Sequence, residues 1–90
     1  MDERPAPAPR KLMDQFNEWV NDVELPGRTM ANLKTGFLPD ILSELEPTEQ
    51  ITAMLEIWGG WEKGRVGPEE VLGVLKEQGI NDVLSELASA

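Results

Sequence analysis

The sequence repeats itself after 42 residues without a gap. When residues 9–48 are laid on residues 51–90, nine of the 40 pairs are identical, whereas unrelated sequences of this composition would share about two or three. A unit of this length cannot bury its apolar face alone and does so by packing on its copy. The identical pairs are Trp19/Trp61, Pro26/Pro68, Leu33/Leu75, Lys34/Lys76, Asp40/Asp82, Leu42/Leu84, Ser43/Ser85, Glu44/Glu86 and Leu45/Leu87.

Seven more pairs are conservative, and they include Phe16/Trp58 and Leu38/Ile80. The longest matching stretch is Asp-Ile-Leu-Ser-Glu-Leu at residues 40–45, which is answered by Asp-Val-Leu-Ser-Glu-Leu at residues 82–87. The alternative is that two amphipathic helices resemble each other by chance. The matched Trp and Pro positions lie far from this stretch, and they favour a true duplication.

Each unit has the pattern of one longer helix and two short ones. In the first unit, apolar residues share one helical face at Leu12, Phe16, Trp19, Val20 and Val23. Pro26 and Gly27 break this helix, and a short helix follows that ends at Gly36, predicted as a left-handed C-cap. Pro39 suits the first turn of a third helix, which is expected to bury Leu38, Ile41, Leu42 and Leu45.

The second unit repeats this scheme. Pro47 and Thr48 open a long helix that carries Trp58 and Trp61, and the stretch from Gly64 to Gly67 ends it. Pro68 starts the next helix, and Gly79 stops it. Asn81 is predicted as the N-cap of the last helix.

These patterns predict an all-α fold, a small bundle of five or six helices built from two tandem three-helix repeats of about 42 residues. An approximate two-fold axis is expected to relate the units. The predicted organisation is a disordered Pro/Ala tail over residues 1–9 and a single helical domain over residues 10–90. Repeat one spans residues 10–48 and repeat two spans residues 49–90.

Composition excludes several classes of chemistry. The chain has no His and no Cys, which removes Ser-His and Cys-His nucleophilic catalysis, disulfides and ordinary structural zinc sites. Its 17 Asp and Glu against 8 Lys and Arg give a net charge of −9, and this opposes binding to a nucleic-acid backbone. We therefore expect neither an enzyme nor a cofactor, and a protein partner rather than a nucleic acid.

The sequence also lacks features of membrane proteins and secreted proteins. It has no run of about 18 apolar residues that would span a bilayer. Residues 1–9 are polar and rich in Pro, unlike a signal peptide. A cytoplasmic location is the resulting expectation.

Two groups of residues are candidates for partner binding. Asp14, Glu18 and Asp22 fall at i, i+4 and i+8 and predict an acidic stripe on one helix face, although such a stripe is also typical of a solvated face. Trp58 and Trp61 flank a glycine pair, and Trp is common at interface hot spots. The alternative is that both Trp rings belong to the core.

One segment imitates a calcium-binding loop. Residues 59–70 place Gly64 at the sixth position and Glu70 at the twelfth position of an EF-hand. Calcium needs oxygen ligands at positions one, three and five, and this chain has Gly59, Trp61 and Lys63 there. A glycine-rich interhelical turn is the expected structure, without a metal.

The second half resembles the last three helices of death domains. The resemblance rests on residues 54–87, where a Leu-rich helix ends in Trp58, a loop contains Gly64, a helix carries Leu72 and Leu75, and a short helix opens around Asp82. The first half lacks the Trp and Leu-Ala pattern usual in the opening helices of that family. The resemblance implies a six-helix bundle that acts by binding similar domains, so a homo-oligomer is one expected form.

The resulting functional hypothesis is a non-enzymatic protein–protein interaction module, an adaptor or assembly domain that binds a partner through a helical surface with an acidic face. The alternative is a small acidic regulator or inhibitor that occupies the basic groove of a nucleic-acid-handling protein. Competition with DNA or RNA would favour the alternative.

Overall fold

The computed structural model describes residues 8–89, and these residues form six α-helices and no strand. The prediction of an all-α bundle is therefore confirmed, with six helices. Residues 1–7 of the predicted tail lie outside the described residues, and α1 begins at Ala8, two residues before the predicted domain boundary. The helices are α1 (Ala8–Val20), α2 (Pro26–Thr35), α3 (Leu38–Ser43), α4 (Glu49–Glu62), α5 (Pro68–Glu77) and α6 (Ile80–Ser89).

Helix α1 ends earlier than its apolar pattern predicts. Asp22 adopts a left-handed conformation with φ of 61°, and its N–H donates to the Trp19 carbonyl at 3.0 Å. The N–H of Val23 donates to the Glu18 carbonyl at 2.7 Å, which completes a Schellman ending. The prediction that Val23 continues the apolar face of this helix is wrong: its side chain is 72% exposed, because the chain has already turned away from the helix.

The same ending recurs 42 residues later, at the end of α4. Gly64 has φ of 76°, and its N–H donates to the Trp61 carbonyl at 3.0 Å. The N–H of Arg65 donates to the Gly60 carbonyl at 2.8 Å. Gly64 is the residue type that this conformation favours, so the second half ends its long helix without the steric cost that Asp22 carries.

The end of α2 corrects the prediction made for Gly36. Gly36 has φ of −85°, and the left-handed residue is its neighbour Phe37, with φ of 62°. The corresponding residue at the end of α5 is Gly79, with φ of 79°, in agreement with its predicted role. Gly36 has a different reason to be glycine, since a Cβ atom there would lie 2.5 Å from Leu12 Cδ2.

The helix starts largely follow the sequence signals. Pro26 and Pro68 are the first residues of α2 and α5. Thr48 is the N-cap of α4, and its hydroxyl oxygen accepts from the Ile51 N–H at 3.2 Å. The prediction that Asn81 is an N-cap is wrong, because α6 already begins at Ile80. The Asn81 amide instead donates to Asn17 Oδ1 on α1 at 3.0 Å.

The core is formed by the same positions in both halves, defined here as residues 8–48 and residues 49–89. Every buried residue of the first half has a buried residue 42 positions later. Each fully buried Leu, Ile or Phe contributes about 1.5–3 kcal/mol to folding. The pairs are Leu12/Met54, Phe16/Trp58, Thr29/Val71, Met30/Leu72, Leu33/Leu75, Leu38/Ile80 and Leu42/Leu84, and Ile51 is buried in addition. The predicted core residues Ile41 and Leu45 are only half-buried.

The helices pack in an arrangement in which each half completes the other. Helix α1 packs on α2 and α6, while α4 packs on α5 and α3. The third helix of each half therefore lies on the first helix of the other half, and α2 packs on α5 between them. No helix within residues 8–89 is long and apolar enough to cross a membrane.

Candidate interaction surface

The acidic stripe is shorter than its spacing predicts. Asp14 and Glu18 lie one turn apart on α1, and both side chains are exposed. Asp22 is also exposed, but it lies beyond the helix end at Val20, in the left-handed turn. The prediction that all three carboxylates share one helix face is therefore wrong for Asp22.

The structure distinguishes the two candidate Trp residues. Trp58 is 2% exposed and belongs to the core, and its indole nitrogen has no hydrogen-bond partner within the described residues. Trp61 is half-buried and packs edge-on against Trp58, with ring centroids 5.3 Å apart and an interplanar angle of 67°. Trp61 is therefore the member of the pair that reaches solvent.

Sequence reasoning missed the three most exposed large apolar side chains of the described residues. They are Val23 and Leu25, each 72% exposed, and Phe37, 64% exposed. All three lie in the first half, and we call them the exposed apolar set. The internal repeat contains a signal for them, because the matching residues are polar or lack a side chain: Arg65, Gly67 and Gly79.

The backbone around Val23 and Leu25 is held by hydrogen bonds. The N–H groups of Val23 and Glu24 both donate to the Glu18 carbonyl, at 2.7 and 3.1 Å. The Leu25 N–H donates to the Glu24 carboxylate at 2.9 Å, and the Leu25 carbonyl accepts from the buried Thr29 hydroxyl at 3.0 Å. Two apolar side chains thus extend into solvent from a fixed backbone, which lowers the entropy cost of binding.

Phe37 is unusual in two respects. An exposed aromatic ring gains nothing from burial, and a non-glycine residue in the left-handed region costs of order 1 kcal/mol or more. The N–H of Phe37 donates to the Lys34 carbonyl at 3.0 Å, as the N–H of Gly79 does to the Lys76 carbonyl at 3.1 Å. The turn is the same in both halves, so the strain at Phe37 comes from its side chain.

A small cavity lies between α1 and α2. Its volume is about 90 Å³, well below the ~300–1,000 Å³ typical of sites for small molecules. Gln15 lines this cavity. Its side-chain oxygen is buried and has no hydrogen-bond partner within the described residues. The cavity is lined by Lys11, Leu12, Gln15, Asn32, Thr35 and Gly36.

A second, more open cavity of about 220 Å³ lies where the α3–α4 connection meets α6, and we call it the acidic groove. Its apolar residues are Leu45, Ile51 and Val83, and its carboxylates are Glu46 and Glu86. Both Glu side chains are exposed. Two separate segments of the chain, residues 45–51 and 83–86, contribute to this groove, so no contiguous motif predicts it.

The carboxylates do not assemble into a metal centre within residues 8–89. No three Asp, Glu, His or Cys side chains lie close enough together there to hold an ion. The segment that imitates a calcium loop contains the end of α4, the Gly64 turn and the first turn of α5. Comparison of the chain with protein-family models, with curated proteins and with solved structures finds no match.

Proposed function

We propose that the chain is a non-enzymatic protein–protein interaction module that binds a partner through its first half. One observation carries the proposal: the exposed apolar set lies entirely in that half, at positions where the second half has Arg65, Gly67 and Gly79. The second half shows that the fold does not require apolar residues there. Val23 and Leu25 lie just before α2, and Phe37 lies just after its other end, so they offer a partner two separate points of apolar contact rather than one contiguous patch.

The charge of the same half supports a basic partner. Asp14, Glu18 and Asp22 are exposed close to the exposed apolar set in sequence, and the whole chain carries −9. A negative surface increases the association rate with a positively charged partner and has less effect on the dissociation rate. We propose that the acidic residues increase the association rate with the partner and that the exposed apolar set contacts the bound partner.

The proposal is tested by giving the first half the residues of the second. The triple variant V23R/L25G/F37G removes all three apolar side chains and relieves the strain at Phe37. We expect its stability in urea to equal or exceed that of the wild type, and partners captured by the wild type from a lysate of the source cells to be lost. The control T52S/S85A changes two exposed residues of the second half and should retain them. Equal capture by all three proteins would refute the proposal.

The exposed carboxylates of α1 favour one second candidate, an acidic regulator that occupies the basic groove of a nucleic-acid-handling protein. The two candidates differ in what displaces the captured partner. A partner released by added DNA or RNA, and retained by V23R/L25G/F37G, would support the regulator. A partner that is indifferent to nucleic acid and lost from the triple variant would support the interaction module.

We also propose that the chain arose by duplication of a three-helix unit of about 42 residues. The repeat in the sequence, the left-handed residues at 22 and 64 and at 37 and 79, and the paired core positions all support this. The packing of each third helix on the first helix of the other half indicates an approximate two-fold axis. The death-domain-like relationship suggested by residues 54–87 is a separate proposal, which rests on the sequence pattern alone.

The duplication is tested with fragments of residues 10–48 and 49–90. Neither fragment should fold as a monomer, since about 40 residues without a disulfide or metal bury too little surface. Mixing the two fragments should restore the helical circular dichroism signal, because the third helix of each fragment can then pack on the first helix of the other. A stably folded monomer of residues 49–90 would contradict the duplication.

A further inference from the structure

We propose that the acidic groove binds a basic amphipathic segment of another protein, which inserts one apolar side chain between Glu46 and Glu86 and places Lys or Arg beside them. The site is separate from the exposed apolar set. Three observations support the proposal: the groove has an apolar floor, its charge is negative, and hydrogen bonds hold its walls in position.

The floor of the groove is apolar and only partly covered. Ile51 is 4% exposed, whereas Leu45 and Val83 are half-buried. Helix α3 ends at Ser43, so Leu45 lies in the connection to α4, and Val83 faces the groove from α6. The space of about 220 Å³ is large enough for one apolar side chain of a partner and too small for a whole helix.

The charge around the groove has one sign. The segments that form it, residues 45–51 and 83–86, contain no Lys and no Arg. All eight cations of the chain lie in other segments. The groove segments carry three carboxylates, Glu46, Glu49 and Glu86, of which Glu46 and Glu86 line the groove. This concentration of one charge favours a cationic ligand and increases its association rate.

The walls of the groove are held in position before any partner binds. The Thr48 hydroxyl accepts from the Ile51 N–H and fixes the start of α4. The Gln50 side-chain amide donates to the Gln78 carbonyl, which ties the start of α4 to the end of α5. A fixed groove does not have to be ordered on binding, so more of the contact energy is available for affinity.

Charge also selects the occupant. A second copy of this chain carries −9, and its exposed Val23 and Leu25 flank Glu24, so acidic groups would meet acidic groups. The residues before α1 include Asp2 and Glu3 beside Arg4. The Arg10–Lys11 pair of a second copy precedes Leu12, but that side chain is buried in the core and is not free to enter the groove. A Lys- and Arg-rich segment of another protein offers clustered positive charge next to a free apolar residue.

The probe for the test is a fluorescein-labelled synthetic helix of about 14 residues, with one central Leu and with Lys and Arg on the turns on either side of it. Its anisotropy is titrated with the full chain. We expect E46Q/E86Q to weaken binding by about tenfold or more, which corresponds to ~1.4 kcal/mol or more. V83T keeps the shape of the floor but adds a hydroxyl, and it should weaken binding several-fold without changing the salt dependence.

The matched control is E69Q/E70Q, which removes the same two charges from the first turn of α5. These residues lie about 12–14 Å along the helix from Gln78, at 1.5 Å per residue. We expect the control to change affinity by less than about twofold, since at ~0.15 M salt the Debye length is roughly 8 Å. Equal losses in E46Q/E86Q and E69Q/E70Q would overturn the proposal, because binding would then follow net charge alone.

Backbone amide chemical shifts identify the site directly. Peptide should shift residues 45–51 and 83–86 most, and the variant V23R/L25G/F37G should bind the peptide as the wild type does. That last result separates this inference from the proposed function, which concerns the exposed apolar set. Shifts of the same amides on raising the concentration of the chain alone would overturn the proposal in favour of a second copy. Tighter peptide binding after deletion of residues 1–7 would overturn it in favour of the chain's own N-terminal segment.

Discussion

The two halves of the molecule have left-handed residues and buried residues at matching positions, a shared pattern that we call the backbone plan, but they have different side chains at the turns. The second half has Gly64 and Gly79 at its two left-handed positions, where the first half has Asp22 and Phe37. The second half exposes no large apolar side chain within the described residues, whereas the first half exposes three. Because the backbone plan is shared, the second half serves as an internal reference for what folding requires. The residues by which the first half departs from it are the best candidates for function.

The comparison also shows where the halves are equally constrained. Leu42 and Leu84 are both 0% exposed, at positions 42 residues apart. Thr29 is the one polar member of the paired core, and its hydroxyl is satisfied by the Leu25 carbonyl, where the second half has the apolar Val71. The interior therefore changes little between the halves, and the surface changes most.

The largest expected effect tests this equality of the two cores. L42A and L84A should each lower the free energy of unfolding by about 2–5 kcal/mol, against a total of about 5 kcal/mol for a domain of this size. Urea unfolding followed by Trp fluorescence measures both. The neighbouring exposed positions supply the controls S43A and S85A, which should stay within ~0.5 kcal/mol of the wild type. A loss below about 1 kcal/mol in only one Leu variant would break the equivalence.

A smaller effect concerns the close approach of α1 and α2. G36A places a methyl group 2.5 Å from Leu12 Cδ2, so the core must shift, at a cost of about 1–3 kcal/mol. The residue 42 positions later is Gln78, where a Cβ already exists. Q78A should therefore cost no more than ~0.5 kcal/mol in the same urea experiment. A G36A protein as stable as the wild type would mean that the Leu12 side chain moves aside and that the close approach does not constrain this position.

Two further variants change the residue at a left-handed turn, and we expect them to have opposite effects on the free energy of unfolding. F37G should raise the free energy of unfolding by up to about 1 kcal/mol, since glycine adopts this conformation without strain. G79A should lower it by about 1–2 kcal/mol, because alanine cannot adopt φ of 79° without strain. Thermal unfolding by circular dichroism gives both shifts. If F37G destabilises the protein, the Phe37 ring makes contacts that support the fold, and its assignment to partner contact is wrong.

The smallest effect concerns the acidic residues of the long helices. Glu18 lies near the C-terminal end of α1, where the helix dipole opposes a negative charge, and Asp14 is one turn away. E18Q should therefore raise stability by a few tenths of a kcal/mol at low salt, with a smaller gain at high salt. Glu56 in α4 has no charged residue three or four positions away, so E56Q should leave stability unchanged. An equal gain in stability in both variants would mean that the effect follows net charge rather than position in the helix.

Local signals in the sequence predicted most of the fold. Pro26 and Pro68 mark helix starts because proline suits the first turn, and Gly79 marks a turn that only glycine adopts without strain. Apolar spacing identified Phe16, Leu42 and Leu84 as core residues. These predictions depend on contacts within a few residues, which the sequence contains.

The candidate site was much less predictable. The acidic residues were found by spacing, but spacing alone extended α1 past its end and placed both Asp22 and Val23 on its faces. The exposed apolar set and the acidic groove were not predicted at all. Exposure and grooves depend on which elements come together, and the hydrophobic pattern of one helix does not contain that information.

The sequence by itself determined the helical class and most of the positions that bury apolar residues, because helix periodicity and turn chemistry are local properties of the chain. The tertiary structure decided how the two residues of a matched pair differ in burial and in packing. Gly36 is glycine because Leu12 approaches it from α1, Trp58 rather than Trp61 is buried in the core, and the acidic groove exists because α6 packs beside the α3–α4 connection. Each of these depends on the distance between residues far apart in the chain, and that distance is fixed only when the helices pack.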